Sequence, residues 1–381
     1  MQNIELIAAS TFGLEALVAQ ELRDLGYHDL MVENGRITFT ADPEAICRSN
    51  LWLRTADRVK IKIGEFKATT FDELFDQTKA LPWADWIPEN AKFPVDGKSV
   101  KSELFSVSDC QAIVKKAVVE SLRERYHRDW FPEDGPLYKI EVALLKDIAT
   151  LSIDTTGPGL HKRGYRTLVG QAPLKETLAA AMIMLARWYH DIALIDPFCG
   201  SGTIPIEAAL MGLNIAPGLN RSFASEDWPN IPKQLWDEAR QEARELAQFD
   251  RSLYIIGTDI DPQVLKAARH NAEAAGLSEL IHFQASPLQD LSSKRKYGKI
   301  ICNPPYGERI GERKEVAKLY REMGQVFSKL DTWSFYVLTS NPDFERLFGR
   351  PATKKRKLYS GNMKVDYYQY FGPRPPRRRQ E

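Results

Sequence analysis

The chain has 381 residues, 43% of them apolar and 27% charged, with a net charge of only +1. This composition excludes a disordered chain and leaves room for two or three domains, and no apolar run reaches the roughly eighteen residues a membrane span needs. So even a charge balance means that any nucleic-acid partner is met by local basic patches.

The N-terminus, MQNIELIAAS, has neither a basic region nor a cleavable apolar core, so no secretion signal is expected. Residues 1–64 read as strand, helix, strand, helix, strand. Leu14, Leu17, Val18 and Leu22 mark one face of a helix from Gly13 to Gly26, and Arg36 to Thr40 alternates as a strand does. Asp42-Pro43 starts the next helix, and Val59 to Ile63 is a further strand. A small α+β layer is expected.

Residues 65–160 form a second unit. FDELFDQTKALPWADWI is an amphipathic helix with a tryptophan-rich end. A second helix carries Ile113, Val114, Ala117, Val118 and Leu122 on one face, after an N-cap signal at Ser108-Asp109. Lys98, Lys101, Lys115 and Lys116 surround its start as a candidate RNA-binding patch; a solvated face is the alternative. The strands LYKIEVALLK and ATLSIDTT close the unit.

Gly157-Pro158-Gly159 signals a linker. After it, His161, Lys162, Arg163 and Arg166 cluster around Tyr165, which suits a phosphate backbone and a stacked base. Pro173 to Trp188 reads as a helix. His161 has no second metal ligand at a useful spacing, so no metal site is expected.

The organising stretch of residues 161–381 is LIDPFCGSGTIPIEAALMG, from Leu194 to Gly212. It reads as a strand ending in Asp196, a turn through Gly200 and Gly202, and an apolar helix. A glycine turn lets the backbone approach a ligand closely, and the helix start favours an anionic group. Without a Lys-Ser or Lys-Thr pair it is not a phosphate loop, and it is not GxGxxG. A strand-end carboxylate beside tight glycines suits a ligand with an ammonium, a carboxylate and a ribose; S-adenosylmethionine has all three. Asp259, at the end of LYIIGTDID, is placed to accept from ribose hydroxyls, while Asp261-Pro262 reads as the N-cap of the next helix. The candidate cofactor set is Asp196, Phe198, Gly200, Gly202, Thr203, Asp259, Ile260 and Ser286.

KYGKIICNPPYGERI is a strand and its exit loop. An exocyclic amine is a poor nucleophile, because its lone pair is delocalised into the ring. The Asn303 side-chain oxygen and the Pro304 carbonyl can each accept one N–H, with the loop stiffened by Pro304 and Pro305, and this favours a pyramidal nitrogen. Tyr306 can stack on a base that has left its helix. Neither Cys199 nor Cys302 is expected to attack a base, and the four dispersed cysteines fit a reducing cytoplasm. KKRKLYSGNMKVDYYQYF reads as a hairpin turning at Ser360-Gly361-Asn362, followed by the arginine-rich tail PRPPRRRQE.

DPFCGSGT and NPPY, in this order, resemble the amino-methyltransferases, which methylate exocyclic amines of adenine, guanine or cytosine. The elements of residues 65–160, with V-x-G-K-S-V-K-S, resemble a THUMP domain, an RNA-binding module. HKRGYR and APLKETLAA add a resemblance, over nearly the whole chain, to THUMP-containing guanine-N2 methyltransferases of ribosomal or transfer RNA. This implies a Rossmann-like class I methyltransferase domain (161–381) preceded by a ferredoxin-like α+β domain (1–64) and a THUMP domain (65–160). It implies a cytoplasmic enzyme that uses S-adenosylmethionine, with 23S ribosomal RNA as the expected substrate. In such enzymes an aspartate commonly faces the adenine amine after the third strand; here Ser286-Pro287 stands there, leaving backbone groups or Asp290. The alternatives are a transfer RNA guanine methyltransferase, a DNA adenine-N6 methyltransferase and a non-catalytic RNA-binding assembly factor.

Overall fold

A computed structural model describes residues 3–166, 174–307 and 312–376. The expected helix start at Pro173, the end of the NPPYGERIG stretch and the last five residues of the basic tail lie outside the described residues. The chain forms two compact units. The first comprises Met1–Ser10, Val18–Leu160 and Arg221–Glu242; the second comprises Thr11–Leu17, His161–Asn220 and Ala243–Glu381.

The N-terminal elements are β1 (Ile4–Ser10), α1 (Glu15–Asp24), β2 (Leu30–Glu33), β3 (Arg36–Ala41), α2 (Glu44–Trp52) and β4 (Ala56–Lys67). There follow α3 (Phe71–Lys79), β5 (Val95–Val100), α4 (Val107–Tyr126), β6 (Lys139–Leu145) and β7 (Ile148–Asp154). Their strands make one seven-stranded sheet in the order β2-β3-β1-β4-β7-β6-β5. The expected division at residue 64 falls inside β4, which pairs with β1 on one edge and β7 on the other. The sequence carries no strand signal at β2 or β5: β2 is four residues long and mostly exposed, and β5, VDGKSV, buries no residue fully on either face. A capping box between Thr70 and Glu73 starts α3. The N-cap of α4 is Ser106, two residues before the expected Ser108-Asp109 signal, and no side-chain bond caps it.

The C-terminal elements are α5 (Glu176–Leu185), β8 (Leu194–Asp196), α6 (Thr203–Gly212), α7 (Lys233–Glu245), β9 (Ile255–Asp259), α8 (Pro262–Ala274) and β10 (Ile281–Ala285). They continue with β11 (Lys299–Cys302), α9 (Glu312–Phe327), β12 (Ser334–Thr339), α10 (Phe344–Phe348), β13 (Lys354–Ser360) and β14 (Met363–Tyr370). Their sheet runs β10-β9-β8-β11-β12-β14-β13. The strands from β10 to β12 are parallel, and β14 is antiparallel to both of its neighbours. This is a Rossmann-like sheet, as the resemblance implies. Chain order reverses between β8 and β11, so a crevice opens at their carboxyl ends. The β13–β14 hairpin turns where expected, with Ser360 opposite Met363. Helix α6 is buried along nearly its whole length, which is why its sequence is apolar all round rather than on one stripe.

One segment within residues 161–381 belongs to the first unit. Arg221–Glu242 packs into the core of the first unit. Trp228 stacks on Tyr138 at 4.1 Å and donates its indole N–H to the Leu137 carbonyl at 2.9 Å. Arg48 grips Glu242 with two 2.9 Å hydrogen bonds. No helix among the described residues is long and apolar enough to cross a membrane.

Candidate active site

The crevice is built from the exits of four parallel strands. Asp196 ends β8 and is 1% exposed, and its Oδ1 accepts from the Phe198 N–H at 3.1 Å. The turn beyond it is stitched to β9: the Cys199 N–H donates to the Thr258 carbonyl at 3.0 Å, and the Gly200 N–H donates to Asp259 Oδ2 at 3.0 Å. The other Asp259 oxygen accepts from the Asp261 N–H at 3.1 Å, and the Asp259 carbonyl accepts from the Ser286 N–H at 3.0 Å. One aspartate thus fixes three loop exits. Asp261 caps α8 by accepting from the Gln263 N–H at 2.8 Å, as its Asp-Pro spacing predicts.

Both glycines of the turn are left-handed, with φ of +51° at Gly200 and +83° at Gly202. Their reasons differ. A Cβ on Gly202 would stand 3.0 Å from Phe283 and 3.2 Å from Ala268, whereas one on Gly200 would point into open space. Packing and φ both call for glycine at Gly202, whereas at Gly200 only the φ does and the space beside it is open.

Burial pushes the Asp196 carboxyl well above the usual range, and the charge of Asp259 pushes it further, against the Phe198 N–H. A cation seated beside it relieves both effects. Burial likewise pushes the Cys199 and Cys302 thiols far up, so neither is poised as a thiolate nucleophile.

The fourth exit carries Asn303 to Tyr306. The Tyr306 hydroxyl donates to Asn303 Oδ1, leaving that oxygen a second lone pair. Fully buried Tyr320 of α9 bonds the Pro305 carbonyl at 2.7 Å and Thr339 Oγ1, at the end of β12, at 2.9 Å. The Pro304 carbonyl has no hydrogen-bond donor among the described residues. The loop is therefore pinned through Pro305 while Pro304 and Asn303 retain acceptor capacity.

A cavity of about 760 Å³ brings these exits together, with Phe198, Asp259, Ile260 and Ser286 on one part of its lining and Asn303, Pro304, Pro305 and Tyr306 on another. Asp196, Gly200, Gly202 and Thr203 are not in the lining; they build the turn behind it. Asp290, the alternative for the adenine amine, is not in the lining either, while Leu288 and Gln289 beside it are. Gln289 donates to Glu322 Oε2 at 2.8 Å, and Glu322 also lines the cavity. No sequence signal marked this pair, because α9 meets the β10 exit only in the fold.

The expected RNA contacts divide sharply. Arg163 is 3% exposed and meets completely buried Glu207 of α6 through two 3.3 Å hydrogen bonds, with the Tyr165 hydroxyl donating to the same carboxylate at 3.1 Å. Arg166 donates to the Thr203 hydroxyl at 2.7 Å and the Leu174 carbonyl at 2.8 Å, and it pairs with Glu176 at 3.2 Å. These observations correct the reading of Arg163 and Arg166 as RNA ligands and of Tyr165 as a stacking platform: they anchor the linker to α5 and α6. Lys115 is also committed locally, 2.6 Å from Glu133 and 3.4 Å over the Phe93 ring. Lys98 is 3.1 Å from Glu141 but remains exposed, as do Lys101, Lys116 and Lys162; His161 is half-buried.

Three family models match the chain: an RlmL ferredoxin-like domain over residues 5–60, a THUMP domain over 68–154, and an RMKL-like methyltransferase domain over 163–369. The Bacillus subtilis protein YpsC, provisionally named an RNA methyltransferase, is 56% identical, with all of both chains covered. The ribosomal RNA large subunit methyltransferase K/L of Syntrophotalea carbinolica is 35% identical over 98% of this chain and 55% of its own length. Among solved structures, a protein of Listeria monocytogenes described as a predicted N6-adenine-specific DNA methylase has 56% identity and a TM-score of 0.94, covering 98% of this chain and 97% of its own. SMU.472, described provisionally as a methyltransferase and crystallised with SAH, has 49% identity and a TM-score of 0.93, covering 99% of this chain and 100% of its own.

Proposed function

Because this chain belongs to the RMKL-like methyltransferase-domain family, we propose that it is an S-adenosylmethionine-dependent RNA methyltransferase acting on the exocyclic amine of guanine, with large-subunit ribosomal RNA as its substrate. The observation that carries this reading is the shared cavity, which joins the exits of β8, β9 and β10 to the Asn303–Tyr306 loop.

The residues present fit the cofactor. Asp196 is a buried carboxyl made uncomfortable by its surroundings, which suits an ammonium group. Asp259, in the lining, can accept from ribose hydroxyls, and Ile260, 75% exposed, offers apolar surface to an adenine ring. Gly200 keeps the space beside the turn clear. When bound, S-adenosylmethionine supplies a sulfonium-activated methyl group. Asn303 Oδ1 and the Pro304 carbonyl accept the two N–H groups of the target amine and turn its lone pair out of the ring. The Tyr306 hydroxyl, donating to Asn303, sets the orientation of that amide. Tyr306 also offers a ring face to the flipped base.

The match to a THUMP domain and the names of YpsC and the K/L relative favour RNA. The description of the Listeria relative favours the rival substrate, adenine in DNA. Transfer of labelled methyl from S-adenosylmethionine to protein-free ribosomal RNA, transfer RNA and duplex DNA separates them. The expected product is N2-methylguanosine in ribosomal RNA. Label confined to DNA adenine rejects the proposal, and label confined to transfer RNA moves it to the other RNA.

A further inference from the structure

The second unit has another large concavity, of about 1260 Å³, at the other end of its parallel strands. Lys299 and Ser334, both in its lining, open β11 and β12, whereas the cofactor crevice lies beyond the last residues of such strands. Across the sheet, Lys299 stands opposite Ser334, and Gln369 of β14 opposite Lys354 of β13. From β11 to β13 the row crosses three strand spacings, about 14 Å, which is wider than a single phosphate.

Seven cationic side chains line this groove, against one carboxylate, Asp191. None of the seven is in an ion pair with a described carboxylate. In a chain whose net charge is +1, such an accumulation is a local feature. Burial, and after it the neighbouring Arg187, pull the Lys299 amine down to about 8 against the opposing charge of Asp191, and its ammonium donates to the Ala186 and Arg187 carbonyls. Two exposed rings also line the groove, Tyr189 at 62% and Phe371 at 52%. Cations spread over more than one phosphate spacing, interleaved with exposed aromatic faces, are what a nucleic-acid strand requires.

We propose that this groove is a second RNA-contact surface, gripping the sugar-phosphate backbone of a segment flanking the target nucleotide. The inference rests on the RNA-methyltransferase reading. Its contacts lie away from the reacting atoms, so they govern binding of the RNA and not the methyl-transfer step.

The test uses the full chain with Lys296, Lys354 and Arg374, all exposed, changed together to serine. A control variant of equal charge changes Lys233, Lys266 and Lys329, also exposed and outside the groove lining. Binding of fluorescently labelled, protein-free 23S ribosomal RNA is measured from 50 to 300 mM KCl, beside KM and kcat for the same RNA and calorimetric binding of S-adenosylhomocysteine. The groove variant is expected to bind roughly tenfold or more weakly, with a log–log salt slope shallower by about two, while the control changes less than about twofold. KM rises, and kcat and S-adenosylhomocysteine binding stay at their original values. If the unaltered protein binds and methylates RNA but the groove variant matches the control, the groove inference fails and the reading of the active site stands. If the unaltered protein binds no RNA, both fail.

Discussion

The guanidinium of Arg163 and the carboxylate of Glu207 meet through two hydrogen bonds of 3.3 Å, with side-chain exposures of 2% and 0%. Removing one partner strands a buried charge. Arg163→Met is therefore expected to cost about 3–5 kcal/mol of unfolding free energy, and Arg163→Met combined with Glu207→Leu to recover part of it, the buried Tyr165 hydroxyl losing its acceptor. Urea titrations of the single and double variants measure this. A double variant as unstable as the single one would assign the loss to packing instead.

Glu176 gives a pH signature to the same region. Its side chain is 4% exposed, and one carboxyl oxygen has no hydrogen-bond partner. Burial pushes the carboxyl up to about 6, against the pull of Arg166. The folded state therefore holds this proton more tightly than the unfolded chain. Stability falls as pH rises from about 4.5 to 6, by up to about 2 kcal/mol from this group. Denaturation midpoints of the unaltered protein and Glu176→Gln at pH 4.5, 5.5 and 7 should diverge in that window, with the flatter profile belonging to the glutamine variant.

Asp196 predicts a linked proton. Its carboxyl, raised by burial and by Asp259, gives up a proton when a ligand ammonium arrives. Affinity for S-adenosylhomocysteine should rise with pH through the acidic range. Calorimetry in two buffers of different ionisation enthalpy should report proton release, and Asp196→Asn should abolish both effects.

Asn303 and Tyr306 should separate in kinetics. Asn303→Ala is expected to lower kcat about 10²–10³-fold, or roughly 3–4 kcal/mol, with S-adenosylhomocysteine binding intact. Tyr306→Phe loses only the hydroxyl that orients Asn303, so a fall of about tenfold is expected. Single-turnover methyl transfer to ribosomal RNA distinguishes the two. Equal losses would mean that Tyr306 does more than hold the amide.

The two turn glycines should fail differently. Gly202→Ala adds a tight contact with Phe283 to an unfavourable φ, so it should lose more stability than Gly200→Ala. Gly200→Ala should cost about 1–2 kcal/mol of stability through its φ alone and weaken S-adenosylhomocysteine binding, because its methyl enters the open space. Thermal unfolding with and without ligand resolves the two effects.

The sequence by itself determined the local pieces: the strand–turn–helix around Gly200, the Asp261 cap, the hairpin at Gly361, and the NPPY loop after a strand. Each is written in consecutive residues, because turn conformation, capping and periodicity act over a few positions. Only the tertiary structure decided which charges are available. Arg163, Arg166 and Lys115 read as free cations, since nothing nearby in sequence announces Glu207, Glu176 or Glu133 as partners. The fold also moved Arg221–Glu242 into the first unit and brought Lys299 of β11 and Lys354 of β13 into the lining of one groove. Burial and ion pairing depend on residues far apart along the chain, and their sum appears only when the strands have taken their order.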